Sequence, residues 1–283
     1  MRIAQRLGLA VGAGLVIAAL WAGASVTATA QDAQPDLTKV PVGEALPPKD
    51  VSFSFQGMFG TYNKAALQRG FQVYKEVCSA CHSMNLVAFH DLGNPGGPDF
   101  TAAQVKAIAA SYQVPAGPNS KGQTTDANGQ PLMRSAIPAD HFPPPFPNEE
   151  AARTANNGAL PPDMSLLAKA LDGGPARIYS IVTGFHLKPP PGFKVVEGKY
   201  FNPWFPGWNI SMPPPLTDGS VTYTDGTKAT LDQEAHDVAT FLMWCAEPKL
   251  DQRKRVGFEV MIFLVVLSGL LYLSYRRIWK DMH

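Results

Sequence analysis

Cys78, Cys81 and His82 have the types and spacing to hold a cofactor: Cys78-Ser79-Ala80-Cys81-His82 is a C-x-x-C-H stretch. Two thiols separated by two residues reach the same edge of a porphyrin, and each adds across one vinyl group to form a thioether. The histidine that follows is carried under the ring, where its imidazole can bind iron. The competing readings of such a pair are a zinc site and a redox dithiol. A structural zinc site needs a second ligand pair, and Cys245 is the one cysteine left over. A thioredoxin-like dithiol needs a βαβ setting, which the surrounding pattern lacks. A haem that shuttles electrons also needs a sixth ligand, most often methionine, whose soft thioether favours the reduced iron. Met212, in Ile210-Ser211-Met212-Pro213-Pro214-Pro215-Leu216, lies in an apolar loop stiffened by prolines. Met133 and Met164 are the other candidates, and each could instead be a gap-filling core methionine. Cys245 reads as a small buried hydrophobe.

The elements that must position these residues follow from periodicity. From Asn63 onward Leu67, Phe71, Tyr74 and Cys78 recur at three- and four-residue steps, so one helix delivers the haem motif. Gly70 on that helix permits the close approach of a crossing helix. Leu231–Ala246 is an amphipathic helix with Ala235, Val238, Leu242 and Cys245 on one face, suited to make that crossing. Between them the pattern predicts short helices over 101–112, 149–156, from an N-cap at Asp163 to Leu171, and over 176–183. Residues 115–130 read as a loop, 188–208 are rich in proline, glycine and aromatics, Pro143-Pro144-Pro145 excludes helix, and Asp225-Gly226 predicts a hairpin over 221–230.

Proline (26) and glycine (25) are frequent in the 283 residues, which suits loops wrapped around a group. Arg2 and Arg6 precede an apolar run to Ala24, and Ala28-Thr29-Ala30 fits a cleavage site, so residues 1–30 read as a secretory signal peptide. Export and a covalent haem agree, because c-type haem is attached on the outer side of the energised membrane. Residues 260–275 carry no charge and, with their flanks, are long enough to cross a bilayer. Basic residues flank both ends, and Arg276, Arg277 and Lys280 fit an inward-facing tail. The triplet Arg253-Lys254-Arg255 on the outer side runs against that rule. Residues 31–252 hold 21 Asp and Glu against 16 Lys and Arg, a net of −5, which favours a basic protein partner over nucleic acid.

The chain resembles cytochrome c1, the haem subunit of the quinol–cytochrome c reductase (cytochrome bc) complex, over nearly all of the mature sequence. The resemblance rests on Arg69-Gly70 to Tyr74, Cys78 to Asn85, Asn148 to Ser165, Tyr179 to Phe185, Tyr200 to Pro206, Met212 to Leu216 and Phe241 to Pro248, followed by the tail anchor. It implies a mainly helical, class I cytochrome c-like core with long Pro/Gly-rich loops, plus one C-terminal transmembrane helix. It implies a signal peptide at 1–30, an exported haem c domain at 31–252, an anchor at 253–276 and a cytoplasmic tail at 277–283. One covalent haem c is expected, held by Cys78 and Cys81 and ligated by His82 and, by resemblance, Met212. Asn156, Ala159, Pro161, Pro162 and Phe205 match positions that line the haem pocket. Leu171 stands where many members have a propionate-binding arginine, and Arg177 where they have tyrosine, so the charge is expected to have moved to Arg177.

The implied role is an electron carrier without substrate chemistry of its own. It would accept an electron from a Rieske iron–sulfur subunit and donate it to a soluble cytochrome c. It would sit beside cytochrome b in a dimeric complex in the inner membrane, single-pass, with its haem domain on the periplasmic side. Rival classes are a catalytic or gas-sensing haem protein with an open iron position, and an anchored cytochrome serving another oxidase or dehydrogenase.

Overall fold

The computed structural model describes residues 35–280. The signal-peptide expectation falls outside the described residues, as does the end of the tail. Seven α-helices and two very short antiparallel strand pairs make up the described chain, so the mainly helical expectation holds. The helices are α1 (Lys64–Glu76), α2 (Ala102–Ala110), α3 (Glu149–Ala155), α4 (Leu167–Ala170), α5 (Gly174–Val182), α6 (Leu231–Ala246) and α7 (Leu250–Ile278).

The scaffold is the crossing of α1 and α6, the most extensive helix pair. Helix α1 starts where Asn63 accepts the Ala66 N–H, satisfying one of the first turn's orphan donors. Its buried face is Ala66, Leu67, Gly70, Phe71, Val73 and Tyr74. Helix α6 is buried nearly all round, as a central helix must be. The two touch at Gly70: a Cβ there would lie 2.1 Å from the Asp237 carbonyl oxygen and 2.7 Å from the Phe241 Cβ. Beside the contact Arg69 grips Asp237 with two bonds, Nε to Oδ2 at 2.7 Å and an Nη donor to Oδ1 at 3.1 Å. The Asp237 side chain is fully buried, so this pair also removes what would be an unpaired buried charge. An aromatic layer of Phe71, Tyr74, Phe89, Phe142 and Phe241 packs around the crossing, with Phe89 and Phe142 centroids 4.3 Å apart.

Several expectations change. No strands form over 221–230; Asp225 instead accepts the Thr227 N–H and pairs with Arg69, so the turn serves the scaffold. Asp163 does not cap a helix. Its carboxylate holds the backbone of Asn85 and Ser165, and α4 begins only at Leu167. Helix α5 starts earlier than expected, at Gly174, because Pro175 is pre-set for a first turn. The loop 115–130 is the tip of a ribbon: β1 (Gln113–Pro115) pairs with β2 (Met133–Ser135). The stretch 188–208 carries β3 (Tyr200–Phe201), paired with β4 (Asn209–Ile210).

Helix α7 runs for 29 residues and contains the apolar stretch; by length and composition it can cross a membrane. It begins at Leu250, so the expected domain boundary at 252/253 lies within this helix.

Candidate haem site

Helix α1 delivers the motif. After Val77 the chain tightens into a 3₁₀ turn at Cys78–Ala80, where the Cys78 carbonyl accepts both the Cys81 and His82 N–H groups. The two sulfurs therefore leave one turn. Cys78 is half-buried and Cys81 exposed. Burial pushes the Cys78 thiol up to about 12, so it is uncharged until a bond replaces its proton.

His82 is half-buried, and its Nδ1 donates to the Pro162 carbonyl oxygen at 2.8 Å. That bond fixes the tautomer and leaves Nε2 as a lone-pair donor, the usual second-shell arrangement of a metal-binding histidine. Burial lowers the imidazole's affinity for a proton, against the opposing pull of the Pro162 carbonyl and Asp163, which favours the neutral ligand form. The Pro162 carbonyl is held in place by a seam. Asp163 accepts from the Ser83 hydroxyl and the Asn85 N–H, both at 2.8 Å. Met164 N–H donates to the Ser83 carbonyl and Leu86 N–H to the Ser165 hydroxyl.

His82 opens on a cavity of about 290 Å³. Met212, 130 positions further along the chain, lines the same cavity from the loop after β4. The wall is otherwise mostly apolar: Leu167 at the start of α4 and Leu171 just after its end, Ile178, Ile181 and Val182 from α5, and Ile210 from β4. Cys81, Asn156, Ala159, Pro161, Pro162 and Phe205 line it as well. A second hollow of about 510 Å³ shares Cys81, Leu160, Pro161 and Pro162 and opens past Ser83, Asn85 and Glu149.

Met212 is positioned by a tightly braced loop. Asn202, fully buried, donates to the Ile181 carbonyl on α5 and accepts the Trp204 N–H. Trp208 is fully buried with φ +57°, a strained conformation for a bulky residue, and its indole N–H donates to Glu44 O at 2.7 Å. Opposite, Asn157 (φ +51°) and Gly158 (φ +83°) take left-handed conformations that turn the chain sharply after α3.

Of the methionine candidates, Met133 is half exposed in β2 and does not line the cavity. Met164 lines it but is tied by its backbone to Ser83, on the same seam as His82. Arg177 is not among the lining residues. Its guanidinium donates to the carbonyls of Leu46 (2.6 Å), Trp204 (3.1 Å) and Asp172 (3.2 Å), so it braces the Met212 loop. Residue typing alone misses the aliphatic wall from α4 and α5. Leu167/Leu171 and Ile178/Ile181/Val182 carry a helical-step signal, but that pattern does not separate a pocket wall from ordinary core.

The donor set fits a haem c: two thiols from one turn, a neutral imidazole with a fixed tautomer, and a thioether entering the same apolar cavity from a distant loop. A cytochrome C1 family model matches residues 53–282. Such a donor set on a helical head, with a helix long and apolar enough to cross a bilayer, places the protein among the electron-transfer cytochromes of the c type. "Cytochrome c1" of Rhodospirillum rubrum is 47% identical over 81% of this chain and 86% of its own length. "Cytochrome c1, heme protein, mitochondrial" of Saccharomyces cerevisiae is 44% identical over 79% of this chain and 68% of its own. "Cytochrome b/c1" of Bradyrhizobium diazoefficiens is 43% identical over 96% of this chain, which spans 40% of that longer protein. The chain belongs to the cytochrome c1 family. Membership implies a haem c cofactor and an electron-transfer role as a subunit of the bc1 complex.

Proposed function

We propose that this chain carries one covalent haem c, accepts a single electron from a Rieske iron–sulfur subunit and donates it to a soluble cytochrome c. The observation that carries this reading is the convergence of His82 and Met212 on one apolar cavity with Cys81 at its wall. When bound, haem c supplies a one-electron iron(III)/iron(II) couple. The chain's own residues set the conditions for it. Cys78 and Cys81 would tether the group, and His82 and Met212 would ligate its iron. Asn156, Ala159, Pro161, Pro162 and Phe205 shape the pocket. The aliphatic wall excludes water, and a low-polarity surrounding disfavours the more charged, oxidised state. Arg177 acts through the loop it braces, by reaching the Trp204 carbonyl.

Helix α7 is the anchor in the inner membrane, beside cytochrome b in a dimeric complex, with the head on the periplasmic side. Beside the motif, Leu86 and Leu166 are exposed, which gives a partner protein an apolar centre. The acidic balance of the head steers a basic soluble carrier by long-range attraction. The chain itself makes and breaks no substrate bond.

The test is the reduced-minus-oxidised spectrum and midpoint potential of wild type and Met212→Leu. A sharp low-spin c-type band in wild type, with a large fall in potential and new carbon monoxide binding in the variant, is the expected result. An unchanged potential in Met212→Leu overturns the ligand assignment.

A further inference from the structure

Residues 55–60 lie outside the cavity, yet their backbone is bound closely to the start of α7. The Lys254 ammonium donates to the carbonyls of Phe55 (2.5 Å), Gly57 (2.7 Å) and Gly60 (3.0 Å). Three carbonyls use all three N–H donors of an ammonium group. One turn earlier Asp251 accepts the Tyr62 backbone N–H at 3.2 Å, and the Tyr62 hydroxyl reaches the Met243 and Glu247 carbonyls. Phe53, Phe55 and Tyr62 are buried, so the base of the loop belongs to the core. The tip does not: Met58 is 70% and Phe59 74% exposed. Phe59 meets Phe258 of α7 edge-on, with centroids 5.6 Å apart, and Phe258 is itself half exposed.

The position along α7 says what covers this tip. From Phe258 to Tyr275, before Arg276 and Arg277, the helix rises about 26 Å, close to the thickness of a bilayer's hydrocarbon core. Tyr275 and Trp279, in ring contact, mark one boundary as interfacial aromatics do. Phe258, and Phe59 against it, then fall at the other boundary. Arg253 and Arg255 lie just outside it, level with the headgroups. The basic triplet that runs against the charge rule is thereby largely accounted for: Lys254 is spent on the loop and Arg253 on the Glu247 carboxylate, which leaves Arg255 for the headgroups.

We propose that Met58 and Phe59 form a second membrane contact, inserted into the outer interfacial layer beside α7 and held there by Lys254. The inference rests on α7 being the anchor. Lipid is the occupant because the apolar tip is continuous, through the Phe59–Phe258 contact, with the exposed apolar side of α7. Two attachment points, unlike one, also fix the rotation of the head about the anchor.

The experiment places a nitroxide at Phe59→Cys in the haem-loaded, full-length chain within its complex in lipid nanodiscs. Parallel labels go at Met261→Cys, to test the anchor itself, and at Lys121→Cys, an exposed reference. Buried Cys245 does not compete for the label. Power-saturation measurements compare collisions with oxygen, which partitions into lipid, and with a water-soluble nickel chelate. The expected result is a residue 59 label that prefers oxygen, at shallower depth than the residue 261 label. Adding Lys254→Gln should move the first label toward water and leave the second unchanged. Nickel accessibility at residue 59 equal to that at residue 121 overturns the proposal. So does shielding from both reagents, which would mean that another protein covers the tip. A water-exposed label at residue 261 refutes the anchor reading itself, an outcome distinct from failure of the loop contact.

Discussion

The α1–α6 crossing and the wall of the cavity hold their shapes by different means. At the crossing, side chains pack on side chains: Gly70 admits the backbone of α6, Phe71 and Tyr74 fit against Phe241, and Arg69 closes on Asp237. The wall is built from turns and loops, and its order comes from side chains that reach backbone. Asp163, Ser165, Asn202 and Arg177 each bind main-chain groups on another segment. The difference assigns roles. The crossing sets where the haem motif starts, and the wall sets where Met212 and the His82 partner stand.

Breaking the crossing should cost most. Arg69→Met leaves the Asp237 carboxylate buried without its cationic partner, and should destabilise the protein by about 3–5 kcal/mol in urea titration. Gly70→Ala, which places a carbon against a backbone oxygen, should cost about 3 kcal/mol, near the top of the usual range for overpacking. If either variant retained wild-type stability, the contrast between the two regions would fail. Both should leave the potential of the surviving folded protein near wild type.

The seam at Asp163 should behave the other way, with a smaller stability effect and a measurable effect on the site. Burial alone would raise this carboxyl, but the Asn85 and Ser165 N–H groups and the Ser83 hydroxyl outweigh it and hold it below the usual range. A depressed folded value contributes stability that is present above the unfolded value of about 4 and is lost as pH falls through the folded one. Asp163→Asn should therefore cost about 1–2 kcal/mol at pH 7, show a flatter loss of stability on acidification, and shift the haem spectrum as the Pro162 carbonyl loosens. Equal acid sensitivity in variant and wild type would show that another carboxylate dominates.

The smallest effect should be at Cys245. It is buried, with its thiol pushed up well above the usual range by burial and its sulfur 3.8 Å from that of Met84. Cys245→Ala should cost about 1 kcal/mol and leave the spectrum unchanged. Alkylation of the native wild-type thiol at pH 8 should be undetectable.

The same contrast explains what can be read from residue order. Leu67, Phe71 and Tyr74 recur at helical steps because one face must stay dry, so α1 is legible. So is α6, whose ends agree with its hydrophobic span. C-x-x-C-H is legible because thioether chemistry constrains its spacing. Asp163 reads as a helix cap because an aspartate before an apolar run most often is one; its real partners, Ser83, Asn85 and Ser165, are brought to it by folding. Asp225-Gly226 has hairpin chemistry, but the Asp225 carboxylate is drawn to Arg69, and no ladder forms beside it. Arg177 carries a charge suited to an anionic ligand, and its guanidinium reaches two carbonyls on remote segments, Leu46 and Trp204, and one nearby, Asp172. At Asp163 and Asp225 the local signal is sound and a long-range polar contact redirects it.

The joint between α6 and α7 is three residues long, Glu247–Lys249. The Glu247 carboxylate receives Lys169 of α4 on one side and Arg253 of α7 on the other. One carboxylate thus couples a helix of the cavity wall to the long C-terminal helix. With so little slack, the joint is a bracket and not a swivel: the cavity's height and heading relative to α7 are constants of this chain. A partner that needs a different approach angle has to supply that movement itself.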